Sequence, residues 1–269
     1  SLYKTATRTI KSVSEYFKPC LSWSKISSGN IAFRYYPQGF IFDVAGCCIF
    51  YKNKDVMYYH FGYINSCVAK SILNMISPTL NYEAGHIASL PIITEKDMLL
   101  PVNELVEKNI ILSKADWDSF DISWDFQHHP LLRKTSTIIE AFKQWKKECD
   151  TRFEQLRTNE EQLNHIFINI YGLQDEITPE VEDKDITVRK ADLSRDIRSF
   201  MFFAVGCMLG RYSLDEEGLI YAGGEWNSNK YKTFIPDVDN CIPITDEEYF
   251  SDDIVGFFVE FVKTVYGAD

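Results

Sequence analysis

The 269-residue chain is 45% hydrophobic and 25% charged, a composition that excludes a disordered chain and fits one large globular domain or two modest ones. Its longest uncharged apolar run, 12 residues at 199–210, is too short to span a bilayer, and no secretory signal pattern opens the sequence. The net charge of −11, taken as a mean, weighs against a polyanionic partner.

Residues 22–51 read as an antiparallel meander. Short β-branched and aromatic runs at 23–26, 31–36, 40–44 and 47–51 are separated by turns rich in Gly, Pro, Ser and Asn. From 57 to 76 the period changes. Tyr59, Tyr63, Val68, Ile72, Leu73 and Ile76 share one helical face, and Pro78 stops the helix. A short apolar stretch follows at 87–93. Thr94 to Asp97 predicts the start of another helix, with its body at 102–111 after Pro101. Residues 113–130 have no period. They read as an ordered connector pinned by Trp117, Phe120, Trp124 and Phe126.

The clearest element lies between 134 and 171. Ile138, Phe142, Trp145, Cys149, Phe153 and Leu156 form one apolar stripe on a helix of about five turns. Thr158 and Glu161 have capping-box spacing, which predicts a second helix carrying Leu163, Phe167 and Ile170 and stopped by Gly172. After an acidic, turn-rich stretch at 174–192, a helix is expected at 195–209, where Gly206 and Gly210 permit close packing. Strands and turns are expected at 218–232 around Gly223 and Gly224. A final helix, capped by Ser251 and stopped at Gly267, carries Ile254, Phe257, Phe258, Phe261, Val262 and Val265. The fold class that follows is α+β. A mixed β-meander and helix lobe at 1–112 leads into an aromatic connector and helical spacer at 113–171. A mixed α/β lobe at 172–269 ends the chain.

The mean charge hides an asymmetry. Residues 1–60 carry eight Lys/Arg and three acids, a balance of +5. Residues 171–269 carry nine Lys/Arg and 21 acids, a balance of −12. A basic lobe joined to an acidic one lets a polyanion meet one end. The seven cysteines form no CxxC pair and read as small buried hydrophobes of a cytoplasmic, reducing environment.

Catalytic signatures are absent from the sequence: no GxG, no Walker lysine loop, no Pro-Pro pair, no GxSxG elbow, no HExxH. His128 and His129 adjoin Pro130 with no third ligand near in sequence, so a structural pair is the expectation and no metal site is assigned. Glu182 and Lys184 match half of a metal-nuclease signature but sit in a charged turn beside Pro179. Binding signals are better. The 23–54 region interleaves cations with aromatics and amides, a mixture suited to phosphates and base edges. The candidate contacts are Lys18, Lys25, Asn30, Arg34, Tyr36, Gln38, Lys52, Asn53 and Lys54. An ordinary half-buried sheet is the competing reading of the same residues.

Several strings then carry a resemblance. Residues 39–43 (GFIFD), 63–66 (YINS), 78–81 (PTLN) and 89–92 (SLPI) resemble the target-recognition region of adenine methyltransferases, including type IIG restriction-modification enzymes. Residues 117–120 (WDSF), 129–132 (HPLL), 159–164 (NEEQLN), 170–176 (IYGLQDE), 205–214 (VGCMLGRYSL) and 219–224 (LIYAGG) are more specific. Together they resemble the C-terminal half of the PglX-type adenine-specific DNA methyltransferases of BREX phage-defence systems. The resemblance implies a double-stranded DNA partner, other BREX-type defence proteins and no membrane. It also implies an S-adenosylmethionine site and an Asn-Pro-Pro-Tyr motif in an N-terminal domain. Neither is in this chain, which starts on Ser, so no cofactor is expected here and the chain reads as a non-catalytic part of a larger enzyme. Target recognition and scaffolding are the roles left to it. The alternative is a protein-interaction scaffold with no DNA affinity of its own.

Overall fold

The structure, a computed structural model, describes residues 12–27, 29, 31–43, 45–77, 79–250 and 252–267. Seven α-helices and one three-stranded antiparallel sheet occur among them. The chain divides into two compact units. The first comprises Ser1–Ile111 and Arg157–Asp185, and the second Leu112–Leu156 and Ile186–Asp269.

In the first unit, β1 (Cys20–Ser24) is the central strand, with β2 (Arg34–Tyr36) and β3 (Gly46–Phe50) on either side. The expected meander would place β2 in the middle. The expected strand at 40–44 also fails to form over its described residues, 40–43. Gly39, at φ +113°, turns the chain. Gly39 N–H then donates to the Phe17 carbonyl (3.1 Å), and Phe17 N–H to the Phe40 carbonyl (2.9 Å). Backbone groups that a ladder would use are spent on residue 17. The Asp43 carboxylate next accepts from the Ala45 and Gly46 N–H groups (2.8 and 3.1 Å), which redirects the chain into β3.

The expected helix over 57–76 is two helices, α1 (Lys54–Asn65) and α2 (Cys67–Ile76). Ser66 breaks it. Its extended backbone (ψ 159°) leaves the helical region, and its hydroxyl accepts from Ala69 N–H as the N-cap of α2. Pro78 lies outside the described residues. Within 87–93 a short helix intrudes, α3 (Ala84–Ala88). The helix α4 (Leu99–Trp117) accepts Pro101 in its first turn, where a missing N–H costs nothing, and runs six residues past its expected end.

The pair of helices expected between 134 and 171 is one continuous helix, α5 (Ile138–Tyr171). Thr158 and Glu161 lie within it and cap nothing, because the apolar stripe continues without a phase change. Gly172, at φ +67°, ends it. Leu173 N–H donates to the Ile168 carbonyl (3.0 Å) and Gly172 N–H to the Asn169 carbonyl (3.2 Å), the paired bonds of a Schellman motif. The core of the first unit packs Leu21, Trp23 and Phe33 with Tyr59 and Tyr63 of α1, Val102 and Val106 of α4, and Phe167 of α5.

The second unit is centred on α6 (Leu193–Met208) and α7 (Ile254–Tyr266). Phe200, Phe203 and Cys207 of α6 pack with Phe261 of α7, with Trp145 and Cys149 of α5, and with Phe126 and Leu131. The connector is only partly pinned. Phe120 and Phe126 are buried, while Trp124 is 96% exposed. Gly206 admits Tyr212: a Cβ there would lie 2.5 Å from the ring. The expected strands at 218–232 are turns and a short 3-10 helix, Ser228–Lys230. Positive φ at Gly223 and Gly224 breaks any extended run. Ser251, the expected cap of the last helix, lies outside the described residues. Asp253 caps it instead, accepting from Gly256, Phe250 and Tyr249 N–H groups (2.8, 2.9 and 2.5 Å). These bonds hold its carboxyl at about 2.

Candidate nucleic-acid interface

Strand alternation sorts the sheet into two faces. Leu21 and Trp23 of β1 point to the core, with Tyr35 and Cys47 packed beside them. The opposite face is built from cross-strand rows. One row is Tyr36, Cys20 and Phe50; the next is Arg34, Ser22 and Cys48. Aromatic contacts extend the first row. Tyr36 packs on Phe40 and Phe42 on Phe50 (both 5.3 Å between centroids), and Tyr16 packs on Phe42 (5.2 Å). Phe17, Phe40 and Ile41 remain exposed.

The register brings most of the candidate contacts to one end of the sheet. Cys20 opens β1 and pairs with Tyr36, which ends β2, and with Phe50, which ends β3. Lys18, Tyr36, Gln38, Lys52, Asn53 and Lys54 therefore cluster where the three strands meet. Lys25 belongs to the other end, where its N–H donates to the Ala45 carbonyl (3.0 Å). Arg34 sits at the start of β2. Asn30 lies outside the described residues.

These residues differ in what already engages them. Lys18 pairs with Glu15 (3.1 Å), Lys25 with Glu83 (2.9 Å) and Lys54 with Glu107 (3.3 Å). Lys54 also lies 4.7 Å from the centroid of Tyr58. The Asn53 side-chain oxygen caps α1, accepting from Asp55 and Val56 N–H groups (2.7 and 3.1 Å). Its oxygen is spent on the helix. Arg34 donates to the Phe33 carbonyl (3.3 Å). Arg34 and Lys52 make no ion pair among the described residues. Glu160, half-buried on α5, is the carboxylate whose charge Arg34 and Lys70 support. Burial nevertheless pushes it up to about 7. Reading 40–44 as a strand of the meander does not bring Phe17, Phe40 and Phe42 together as a group. Only Phe40 adjoins Gly39 in sequence; Phe17 is brought to it by the backbone bonds.

The other candidate chemistry is not assembled. His129 is buried against Phe200 and Phe203, and its Nδ1 accepts from Leu131 N–H (3.2 Å). Burial lowers it to about 3, so it is neutral at ordinary pH. Lys184 pairs with Glu182 (2.6 Å) on an exposed turn. Among the described residues no cluster of His, Cys, Asp and Glu has metal-ligand geometry, and no helix is long and apolar enough to cross a membrane. The cysteines are free thiols; Cys20, Cys149 and Cys207 are buried, and burial pushes each up to about 12.

No protein-family model matches the chain. Two curated proteins are similar to it along 94% of its length. One is an adenine-specific methyltransferase, PglX, of Lacticaseibacillus casei (strain Zhang), 44% identical over 261 residues. The other is an adenine-specific methyltransferase, BrxX, of Escherichia coli O9:H4 (strain HS), 32% identical over 279 aligned residues. The chain spans 22% and 23% of their lengths. It therefore corresponds to a segment of each.

Proposed function

We propose that the chain, similar throughout to a segment of PglX and BrxX, serves an adenine-specific DNA methyltransferase as a target-recognition and scaffolding part, as in BREX-type defence. Methyl transfer from S-adenosylmethionine would belong to polypeptide outside this chain. Residues 1–112 are the proposed recognition lobe and 131–171 the proposed spacer. The observation that supports DNA contact most directly is the convergence of Lys18, Tyr36, Gln38, Lys52 and Lys54 at one end of the sheet. Cations there meet phosphates, Gln38 and Arg34 suit base edges, and a three-stranded sheet end is narrow enough for a groove about 12 Å wide.

The test is a titration of labelled duplex DNA with the chain at several salt concentrations. Binding is expected to weaken steeply with salt. Replacing Arg34, Lys52 and Lys54 with Glu is expected to abolish it at moderate salt and, where residual binding is measurable, flatten the salt slope by about 2, since each of the two lost lysine–phosphate contacts removes about 0.9. Wild-type affinity in that variant overturns the site. A second reading is a protein-interaction scaffold. Its support is the segment 233–262, which contains eight acids and no Lys or Arg.

A further inference from the structure

The acidic segment is not a featureless solvated loop. Its backbone is tied to the second unit. Asp237 N–H donates to the Met208 carbonyl (2.8 Å) and Ile254 N–H to the Pro243 carbonyl (3.0 Å). Phe234 is buried against Phe257 and Phe261. Between these anchors the large apolar side chains point outward. Val238 is 99% and Ile244 87% exposed, and Ile235, Tyr249 and Phe250 are exposed with them. Five such residues within sixteen positions are more than the scattered single hydrophobics of an ordinary surface, and they mark an interaction site.

Charge decides the occupant. The same segment carries Asp237, Asp239, Asp246, Glu247 and Glu248 and no Lys or Arg, so the complementary covering surface is basic and itself apolar. The sheet end of the first unit has that chemistry. Phe17, Phe40 and Ile41 are exposed there beside Lys52, and Arg34 lies one cross-strand row along the same outer face; neither cation makes an ion pair among the described residues. We infer that the 235–250 segment of one copy docks on the sheet end of a second copy, head to tail. Two different patches meet in such a contact, so association either closes into a ring or continues as an open series. The inference is independent of the DNA reading, and its test contains no nucleic acid.

The experiment is analytical ultracentrifugation of the nucleic-acid-free chain over a concentration series, at low and high salt. Average mass is expected to climb with concentration at low salt and return to that of a monomer at high salt. The pair Val238→Asp and Ile244→Asp, at positions open to solvent, is expected to abolish the rise, with circular dichroism confirming the fold. Arg34→Glu with Lys52→Glu is expected to do the same. Adding Asp246→Lys and Glu247→Lys to that second pair should restore association. A monomer at every concentration overturns the inference. So does association that ignores either pair, or a loss that the charge swap fails to repair. DNA binding by a strictly monomeric chain would leave the recognition reading standing while removing this one.

Discussion

At the scale of single residues, two titratable groups, buried His129 and half-buried Glu160, act in opposite directions. His129 is held neutral, far below its ordinary value. The unfolded chain takes up a proton there near 6.5 and the folded chain does not, so stability is full above 6.5 and declines as pH falls toward 3, by up to about 1.4 kcal/mol per pH unit. Glu160 is raised to about 7. The folded chain holds that proton longer than the unfolded one, so its contribution is present below about 4.5 and is lost as pH rises through 7. Urea melts across pH separate the two. His129→Asn, which keeps an acceptor for Leu131 N–H, should flatten the decline between pH 6.5 and 5. Glu160→Gln should be more stable than the parent at pH 8, and the advantage should vanish at pH 4. An unchanged pH profile in either variant refutes its assignment.

At the scale of elements, the polar positions inside α5 matter as much as its stripe. Asn164 is buried and bridges two segments of the first unit. Its oxygen accepts from Cys67 N–H at the start of α2, and its amide donates to the Pro179 carbonyl (both 2.9 Å). Asn164→Ala strands both groups and should cost about 1–3 kcal/mol in chemical denaturation. In α6 the constraint is steric. Tyr212 stacks on Phe203 at 5.0 Å, so its ring cannot yield to a Cβ on Gly206. Gly206→Ala should destabilise by about 1–3 kcal/mol, whereas alanine at Gly85, which faces open space, should not. A tolerated Gly206→Ala would mean that Tyr212 repacks. Helix α5 was legible as a stripe because its period never slips. Its continuity was not, because Thr158 and Glu161 offer a cap that is used only where the backbone leaves the helix.

For the whole molecule, the charge and the compact units divide the chain differently. Composition along the sequence separates a basic beginning from an acidic end. The first compact unit nevertheless takes back residues 157–185, and the second begins at 112. Helices α4 and α5 each cross a boundary between units, so no linker composition marks it. The binding prediction belongs to this scale. A chain of net charge −11 is expected to bind a polyanion only through a local basic surface, so its affinity should be more sensitive to three charge reversals at the sheet than to equal changes elsewhere. Control reversals at Lys143, Lys146 and Lys147 should leave duplex binding within about threefold, a ΔΔG under about 0.7 kcal/mol.

The sequence by itself determined the helical stripes, the glycine stops, the charge asymmetry and the kinship that 94% coverage by two methyltransferases bears out. Those features are local or additive: a period, a cap residue, a sum of charges, a string of matching letters. Tertiary structure decided the strand order, the use of Ser66 and Asp253 as caps, and which cations already have partners. The caps bond to near neighbours, but the strand order and several partners depend on residues distant in sequence, such as Phe17 with Phe40, Lys54 with Glu107, or Asn164 with Cys67. A backbone donor or a charged side chain takes the partner that folding brings near, and sequence spacing does not record that choice.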